Sequence, residues 1–142
     1  MSEMMNEGYS PVSPYLTVDD GAGALDFYQR ALNAEVRETY PHEGRLGHAT
    51  LRINGADVML SDDFPEYVGH TGTRSPKALG GTAVTISLAV EDVDMWFERA
   101  VAAGAAPVRP PNDEFYGRMA KLRDPFGHVW SFTGPAKAER TV

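Results

Sequence analysis

The sequence predicts an α+β fold built from two copies of one strand–helix–strands module, and three observations carry that reading. YLTVDD at 15–20 leads into LDFYQRALNAE at 25–35, and SLAVED at 87–92 leads into MWFERAVAAGA at 95–105. Phe27 to Leu32 align with Trp96 to Val101, aromatic, charged and small positions falling in the same order. The repeat then continues, with GHATLRINGADVML at 47–60 paralleling GRMAKLRDPFGHVWS at 117–131. A period that changes from 3.6 to 2 at the same place in both halves marks a duplicated unit.

The first element is a strand at Tyr15–Asp20, with Leu16 and Val18 on one face. A helix follows through Ala24, Leu25, Tyr28, Ala31 and Leu32, spaced as one apolar stripe. Its opening Gly21-Ala22-Gly23 is a poor helix former, which leaves the start open by a turn. In HATLRI, His48, Thr50 and Arg52 alternate with Ala49, Leu51 and Ile53, a half-buried strand. Asn54-Gly55 then signals a tight hairpin, because both central positions of a type I′ turn need positive φ. Residues 63–81, rich in Gly, Pro and charge, read as a long, partly mobile linker. The second half opens with TAVTISLAV, where Val84, Ile86 and Leu88 alternate with Ala83, Thr85 and Ser87. Asp92 suits a helix N-cap, Val93, Trp96, Phe97, Ala100 and Val101 form the apolar face, and Gly104 ends it. Asp124-Pro125-Phe126-Gly127 reads as a turn, with Asp124 capping it. The strand after it puts Trp130 and Phe132 on one face and Val129, Ser131 and Thr133 on the other. In both modules the apolar faces are expected under the helices, and the opposite faces are richer in hydroxyls and cations.

These elements divide the chain into module one at 11–62, the linker at 63–81 and module two at 82–134, a single domain over 1–142 with tails at 1–10 and 135–142. With 142 residues, 42% hydrophobic and 23% charged, the composition is that of an ordinary globular domain. A formal charge of −7 disfavours nucleic acid and anionic membranes as partners. No apolar run approaches the ~20 residues of a membrane span. The first residues lack the basic and apolar regions of a secretory signal, so a cytoplasmic protein is expected. Zero cysteines exclude disulfides, thiolate metal sites and a cysteine nucleophile. No GxGxxG, P-loop or nucleophile-elbow pattern is present. Asp62-Asp63 reads as a solvated start to the linker, and His42 and His70 as surface residues.

PYLTVDD with DFYQRALNAE, GHATLRINGADVMLSDD, and EFYGRMAKLRDPFGHVWSF together resemble the vicinal-oxygen-chelate superfamily, which includes glyoxalases, bleomycin-resistance proteins and extradiol dioxygenases, and within it the PhnB-like branch. The resemblance spans about residues 11–134. It implies two βαβββ modules in a cupped mixed sheet, commonly a homodimer, and a divalent metal held by four His, Gln or Glu side chains. Carried over one at a time, those ligand positions fall on Ser13, Leu60, Thr85 and Ser131. Three hydroxyls and one side chain without a donor atom are not a metal-ligand set.

Around that cup, Tyr15 is expected to point inward, two residues after Ser13. His48 reads either as a ligand partner or acid–base group on the cavity face, or as a strand histidine bonded to a neighbour. Tyr116 stands near the expected cup mouth, against a simple packing role. Arg52, Lys121 and Arg123 either make the cup cationic or pair with nearby carboxylates. His128, Trp96 and Trp130 read as structural.

The sequence is therefore read as a metal-independent, PhnB-like protein with no cofactor, binding a small polar or aromatic molecule. Ser13, Tyr15, His48, Arg52, Leu60, Thr85, Tyr116 and Ser131 are its candidate ligand contacts, with Val58 and Leu60 as apolar wall. The expected partners are that small molecule and a second copy of the chain. Sequestration and a metal-free reaction both fit. The alternative is a divalent-metal-dependent lyase or dioxygenase with unusual ligands.

Overall fold

A computed structural model describes residues 10–137; the outer parts of the expected tails, 1–9 and 138–142, lie outside the described residues. Module one runs β1 (Tyr15–Val18), α1 (Gly21–Leu32), β2 (Glu35–His42), β3 (Arg45–Ile53) and β4 (Ala56–Asp62). Module two repeats it as β5 (Thr85–Ala89), α4 (Val93–Ala103), β6 (Ala106–Glu114), β7 (Gly117–Arg123) and β8 (Val129–Gly134). Each makes a four-stranded mixed sheet, ordered β1-β4-β3-β2 and β5-β8-β7-β6. In each, the first strand pairs parallel with the last and the other pairs are antiparallel.

Local signals explain the element ends. Asp20 caps α1 by accepting from Gly23 N, which offsets the weak Gly-Ala-Gly start, and Asp92 caps α4 by accepting from Met95 N. Asn33, at φ 53°, turns the chain out of α1. Asn54 and Gly55 both take positive φ, 47° and 86°, as the hairpin requires. β6 carries Pro107, Pro110 and Pro111, which a central strand would reject. It stands at the sheet edge, and its register shifts between Arg109 and Asn112 absorb the missing N–H groups.

Leu16, Val18, Leu51, Ile53, Leu60, Leu88, Trp130 and Phe132 are all buried and join Phe27, Tyr28, Trp96 and Phe97 in one core cluster. The two helices pack on each other. Arg30 reaches the Ala103 carbonyl at 3.4 Å, and Arg99, its counterpart in the repeat, reaches the Ala31 carbonyl at 3.1 Å. Each arginine thus serves a carbonyl in the other helix's last turn, where a cation is favourable. The hairpin tips cross over in the same reciprocal way. Asn54 Nδ2 donates to the Ala89 carbonyl at 2.7 Å, and His128 Nε2 lies 2.9 Å from the Thr17 carbonyl.

Asp124 is the hub of this junction. It is buried, and Oδ1 accepts from the backbone N–H groups of Phe126 (2.9 Å) and His128 (3.0 Å). Oδ2 accepts from Trp130 Nε1 at 2.9 Å and from the Tyr28 hydroxyl of the other module. Burial, and then the Asp124 charge, hold the Tyr28 phenol well above its ordinary pKa, so it stays a donor.

The linker, expected to be long and partly mobile, contains short helical elements. It forms a 3₁₀ turn at Pro65–Tyr67 and two short helices, α2 (Val68–Thr71) and α3 (Pro76–Leu79). Asp63 ties its ends by accepting from Arg74 Nε and Ser75 N, both at 2.9 Å. Asp62 is likewise a brace rather than a solvated residue, accepting from Gly21 N at 2.6 Å and Leu46 N at 2.7 Å.

Asp124→Ala is expected to cost about 3–5 kcal/mol in urea unfolding, because four buried donors lose their acceptor at once. Tyr28→Phe should cost about 1.5–3 kcal/mol, the worth of a hydrogen bond to a charged group. Losses below about 0.5 kcal/mol at both positions would remove Asp124 from this role.

Candidate functional site

Each sheet has one face under its helix and one free of it, and the register assigns every strand residue to a face. In sheet one, Leu16 lies beside Leu60, and Leu60 beside Ala49, all three on the helix-covered face. Tyr15 lies beside Met59, and Thr50 across from Met59, on the open face. Leu60 is therefore not a cup-wall residue. It is completely buried in the core, and Val58, paired with Leu51, shares that face. The open-face residues of β4 are Asp57, Met59 and Ser61.

Five side chains meet on this open face. The Tyr15 hydroxyl is 2.7 Å from His48 Nδ1, with the two ring centroids 5.4 Å apart. His48 Nε2 is 2.9 Å from Thr50 Oγ1, and Thr50 donates to Glu38 Oε1 at 3.1 Å. Tyr40 donates to the other Glu38 oxygen at 3.2 Å and stands beside the His48 ring. Proton counting orients the chain. The Glu38 carboxylate can only accept, so Thr50 spends its single proton there and must accept from His48. That places the histidine proton on Nε2 and leaves Nδ1 as the acceptor for Tyr15. Thr50 is buried, which shields the middle of the chain from water.

Beside it lies a cavity of about 410 Å³, lined by Tyr15, Thr17, Gly47, Ser61, Phe64, Thr71 and Thr73. The linker closes one side of it, and the Thr17 hydroxyl donates to Thr73 Oγ1 at 3.2 Å. Its lining carries hydroxyls and one benzyl ring, with no charged side chain. Burial raises the Tyr15 phenol above its ordinary pKa, opposed by the neighbouring Ser61 hydroxyl. A larger groove of about 580 Å³ lies at the start of α1, beside Asp20, Arg45 and Asp62. Four of its charged groups are already used: Asp19 pairs with Lys77, Asp20 caps α1, Asp62 braces two backbone amides, and Arg45 pairs with Glu66.

The other candidates do not join this site. Arg52 shares the open face, yet its Nε lies 3.0 Å from the buried carboxylate of Asp57, a structural pair at the hairpin end. Ser13 precedes Tyr15 by two residues, and its buried hydroxyl has no hydrogen-bond partner among the described residues. Ser131 and Thr85 lie on the open face of sheet two, Ser131 between Ser87 and Lys121, and Thr85 exposed beside Val129. Tyr116 stands in the β6–β7 turn, 55% exposed, against the fully exposed Phe115 ring. His128 and Trp130 are structural, as expected.

The structure adds Glu38, Thr50, Phe64 and Thr73 to the candidate set. Thr50 was visible as a neighbour of His48 on one strand face. Glu38 reaches it only through the β2–β3 pairing, and Phe64 and Thr73 only because the linker folds back. The metal-ligand positions implied by the resemblance fit no better with the register corrected. Replacing Leu60 by Met59 or Ser61 still offers no imidazole or carboxylate. Among the described residues, no cluster of three or more His, Cys, Asp or Glu side chains has the arrangement to hold a metal ion.

The family model described as Glyoxalase/Bleomycin resistance protein/Dioxygenase superfamily matches residues 10–132. The Mycobacterium bovis protein Mb0911c is 48% identical over 89% of this chain and 84% of its own length. Escherichia coli YjdN is 29% identical over 84% of this chain and 92% of its own. Among solved structures, TioX from Micromonospora sp. ML1 aligns with a TM-score of 0.70 and 31% identity, covering 88% of this chain and 98% of TioX.

Leu60→Ala should cost about 2–5 kcal/mol in chemical denaturation, as a core truncation does. Thr85→Ala, on an exposed strand position, should stay within about 0.5 kcal/mol. Equal, small effects would return Leu60 to the open face.

Proposed function

Because the chain belongs to the Glyoxalase/Bleomycin resistance protein/Dioxygenase superfamily, we propose that it is a PhnB-like member that binds a small, uncharged polar or aromatic molecule without a metal. The observation that carries this is the chemistry of the cavity lining. Four hydroxyl-bearing side chains besides Tyr15 (Thr17, Ser61, Thr71 and Thr73) face a space closed by the Phe64 ring. Such a wall suits a molecule with hydrogen-bonding groups at its edge and an apolar or aromatic body. It lacks the guanidinium or ammonium that would hold a free carboxylate or phosphate. At about 410 Å³ the cavity lies within the ~300–1,000 Å³ of small-molecule sites.

PhnB-like placement rests on the DPFGHVWSF and EFYGR segments, and a PhnB protein from Bacillus cereus shares the fold at 23% identity and a TM-score of 0.63. No helix among the described residues is long and apolar enough to cross a membrane. We place the protein in the cytoplasm, acting as a homodimer. Ser131, Thr85 and Tyr116, which lie outside the cavity within one chain, are then available to a second copy.

The test is elemental analysis of untagged protein before and after incubation with Zn, Ni, Mn and Fe(II), followed by a thermal-shift screen of neutral aromatic and polar compounds. We expect no stoichiometric metal to survive dialysis, and a Tm increase with at least one neutral compound that is lost in Phe64→Ala. Retained metal near one equivalent would overturn the metal-free reading in favour of a lyase or dioxygenase with unusual ligands.

A further inference from the structure

Binding alone does not need the Tyr15–His48 pair. A cavity that only sequesters a neutral molecule is served by hydroxyls with no base behind them, and four such side chains are present. Tyr15 differs from them in what stands behind it. The Tyr15 side chain lines the cavity, and its hydroxyl is hydrogen-bonded to an imidazole outside that lining. That imidazole is held in one tautomer through buried Thr50, and His48 Nε2 lies 3.9 Å from Glu38 Oε1. An acceptor nitrogen aimed at a cavity hydroxyl, with a carboxylate behind it, is the layout of a general base and its orienting group.

Building on the cavity reading above, we infer that Tyr15 and His48 form a proton-transfer pair that acts on uncharged, hydroxyl-bearing aromatic molecules, with Thr50 and Glu38 as positioning residues. When such a molecule gives up its hydroxyl proton, its O–H bond breaks and the proton joins Tyr15 Oη. The proton formerly on Tyr15 passes to His48 Nδ1 over the 2.7 Å hydrogen bond. The resulting imidazolium keeps its Nε2–H on Thr50 and faces the Glu38 carboxylate. The ligand is left as an oxyanion beside neutral hydroxyl donors. Among the described residues, the titratable groups set against the His48 ring are Tyr15, Glu38 and Tyr40, whose hydroxyl is turned to Glu38.

The protein contains its own control. Tyr15 is 50% exposed and Tyr116 is 55% exposed, so a reagent meets both alike, and only Tyr15 has a histidine at its hydroxyl. An aryl sulfonyl fluoride labels tyrosine through the phenolic oxygen. The S–O bond forms, the S–F bond breaks, fluoride leaves and the phenolic proton goes to the nearest base. Burial raises the Tyr15 pKa, so without His48 it would label more slowly than an ordinary tyrosine. We expect peptide mass spectrometry to find Tyr15 labelled at least about tenfold faster than Tyr116, a threshold set below the ~10²–10⁴ that general bases supply. His48→Gln should bring Tyr15 down to the Tyr116 rate or below, and Thr50→Val should fall between. Equal rates in the native protein, or a fast Tyr15 in His48→Gln, would overturn the pair while leaving the cavity as a binding site.

A second measurement tests the ligand class. 4-Nitrophenol, whose phenolate absorbs visible light, should bind and ionise at lower pH on the native protein than in buffer. His48→Gln should still bind it, with that shift abolished. Binding with ionisation unchanged would overturn proton transfer, and no binding at all would overturn the hydroxyl-bearing aromatic as the ligand class.

Discussion

A single buried carboxylate holds the two modules in register. Asp124 is withdrawn from water at the point where module two's hairpin meets module one's helix, and four uncharged donors solvate it. Two of them are backbone amides of its own turn, so the same atoms that set the DPFGH bend also set the interface. A buried charge is tolerated only when it is fully hydrogen-bonded. This geometry is consequently a narrow solution. Move the Tyr28 ring, the Trp130 ring or the turn, and one oxygen is left short of a donor. The aromatic packing around it follows from that constraint, with Tyr28 lying against both Trp130 and Phe126. The turn has no room for a side chain at Gly127. A Cβ there would come within 2.7 Å of Pro76, so the linker is pressed onto the same turn.

The duplication is retained where the modules touch and has been lost where they face a ligand. Arg30 and Arg99 exchange contacts with the opposite helix, and Asn54 and His128 exchange contacts with the opposite first strand. On the open faces the equivalent positions have diverged. Tyr15 beside Met59 corresponds in register to Ser87 beside Ser131, and Thr50 corresponds to Lys121. The hydrogen-bonded chain from Tyr15 to Glu38 therefore has no copy in module two. Packing constrains both partners of a contact together, whereas an open face is free to change one side chain at a time.

The sequence carried the fold through its period and its turn residues, and the site only in part. Tyr15 and His48 were legible because their strands alternate cleanly, which puts each on a known face. Leu60 was misplaced because Val58-Met59-Leu60 is apolar throughout and hides the period of two. The polar neighbours Asp57 and Ser61 mark Met59 as the open-face residue, and so does internal symmetry, since Leu60 pairs with Leu16 as Phe132 pairs with Leu88. β6 was obscured by its prolines, which forbid a central strand and permit an edge one. The linker was opaque for another reason. Part of its order comes from Asp63 and from contacts with distant Thr17 and Gly127, which no local propensity records.

These long-range contacts also make the site depend on both modules, although its lining comes from module one and the linker. Thr17 is the meeting point. Its hydroxyl bonds to Thr73 and fastens the linker over the cavity, while its carbonyl lies 2.9 Å from His128, three residues beyond Pro125. His128 is in turn positioned by its backbone bond to Asp124. The Asp124 turn thus fixes the far end of β1 from module two, and β1 also carries Tyr15 toward His48. A strand of four residues would have little rigidity as a bare sheet edge. Pinned through Thr17, it can hold a phenol within 2.7 Å of an imidazole, which is the tolerance that proton transfer requires.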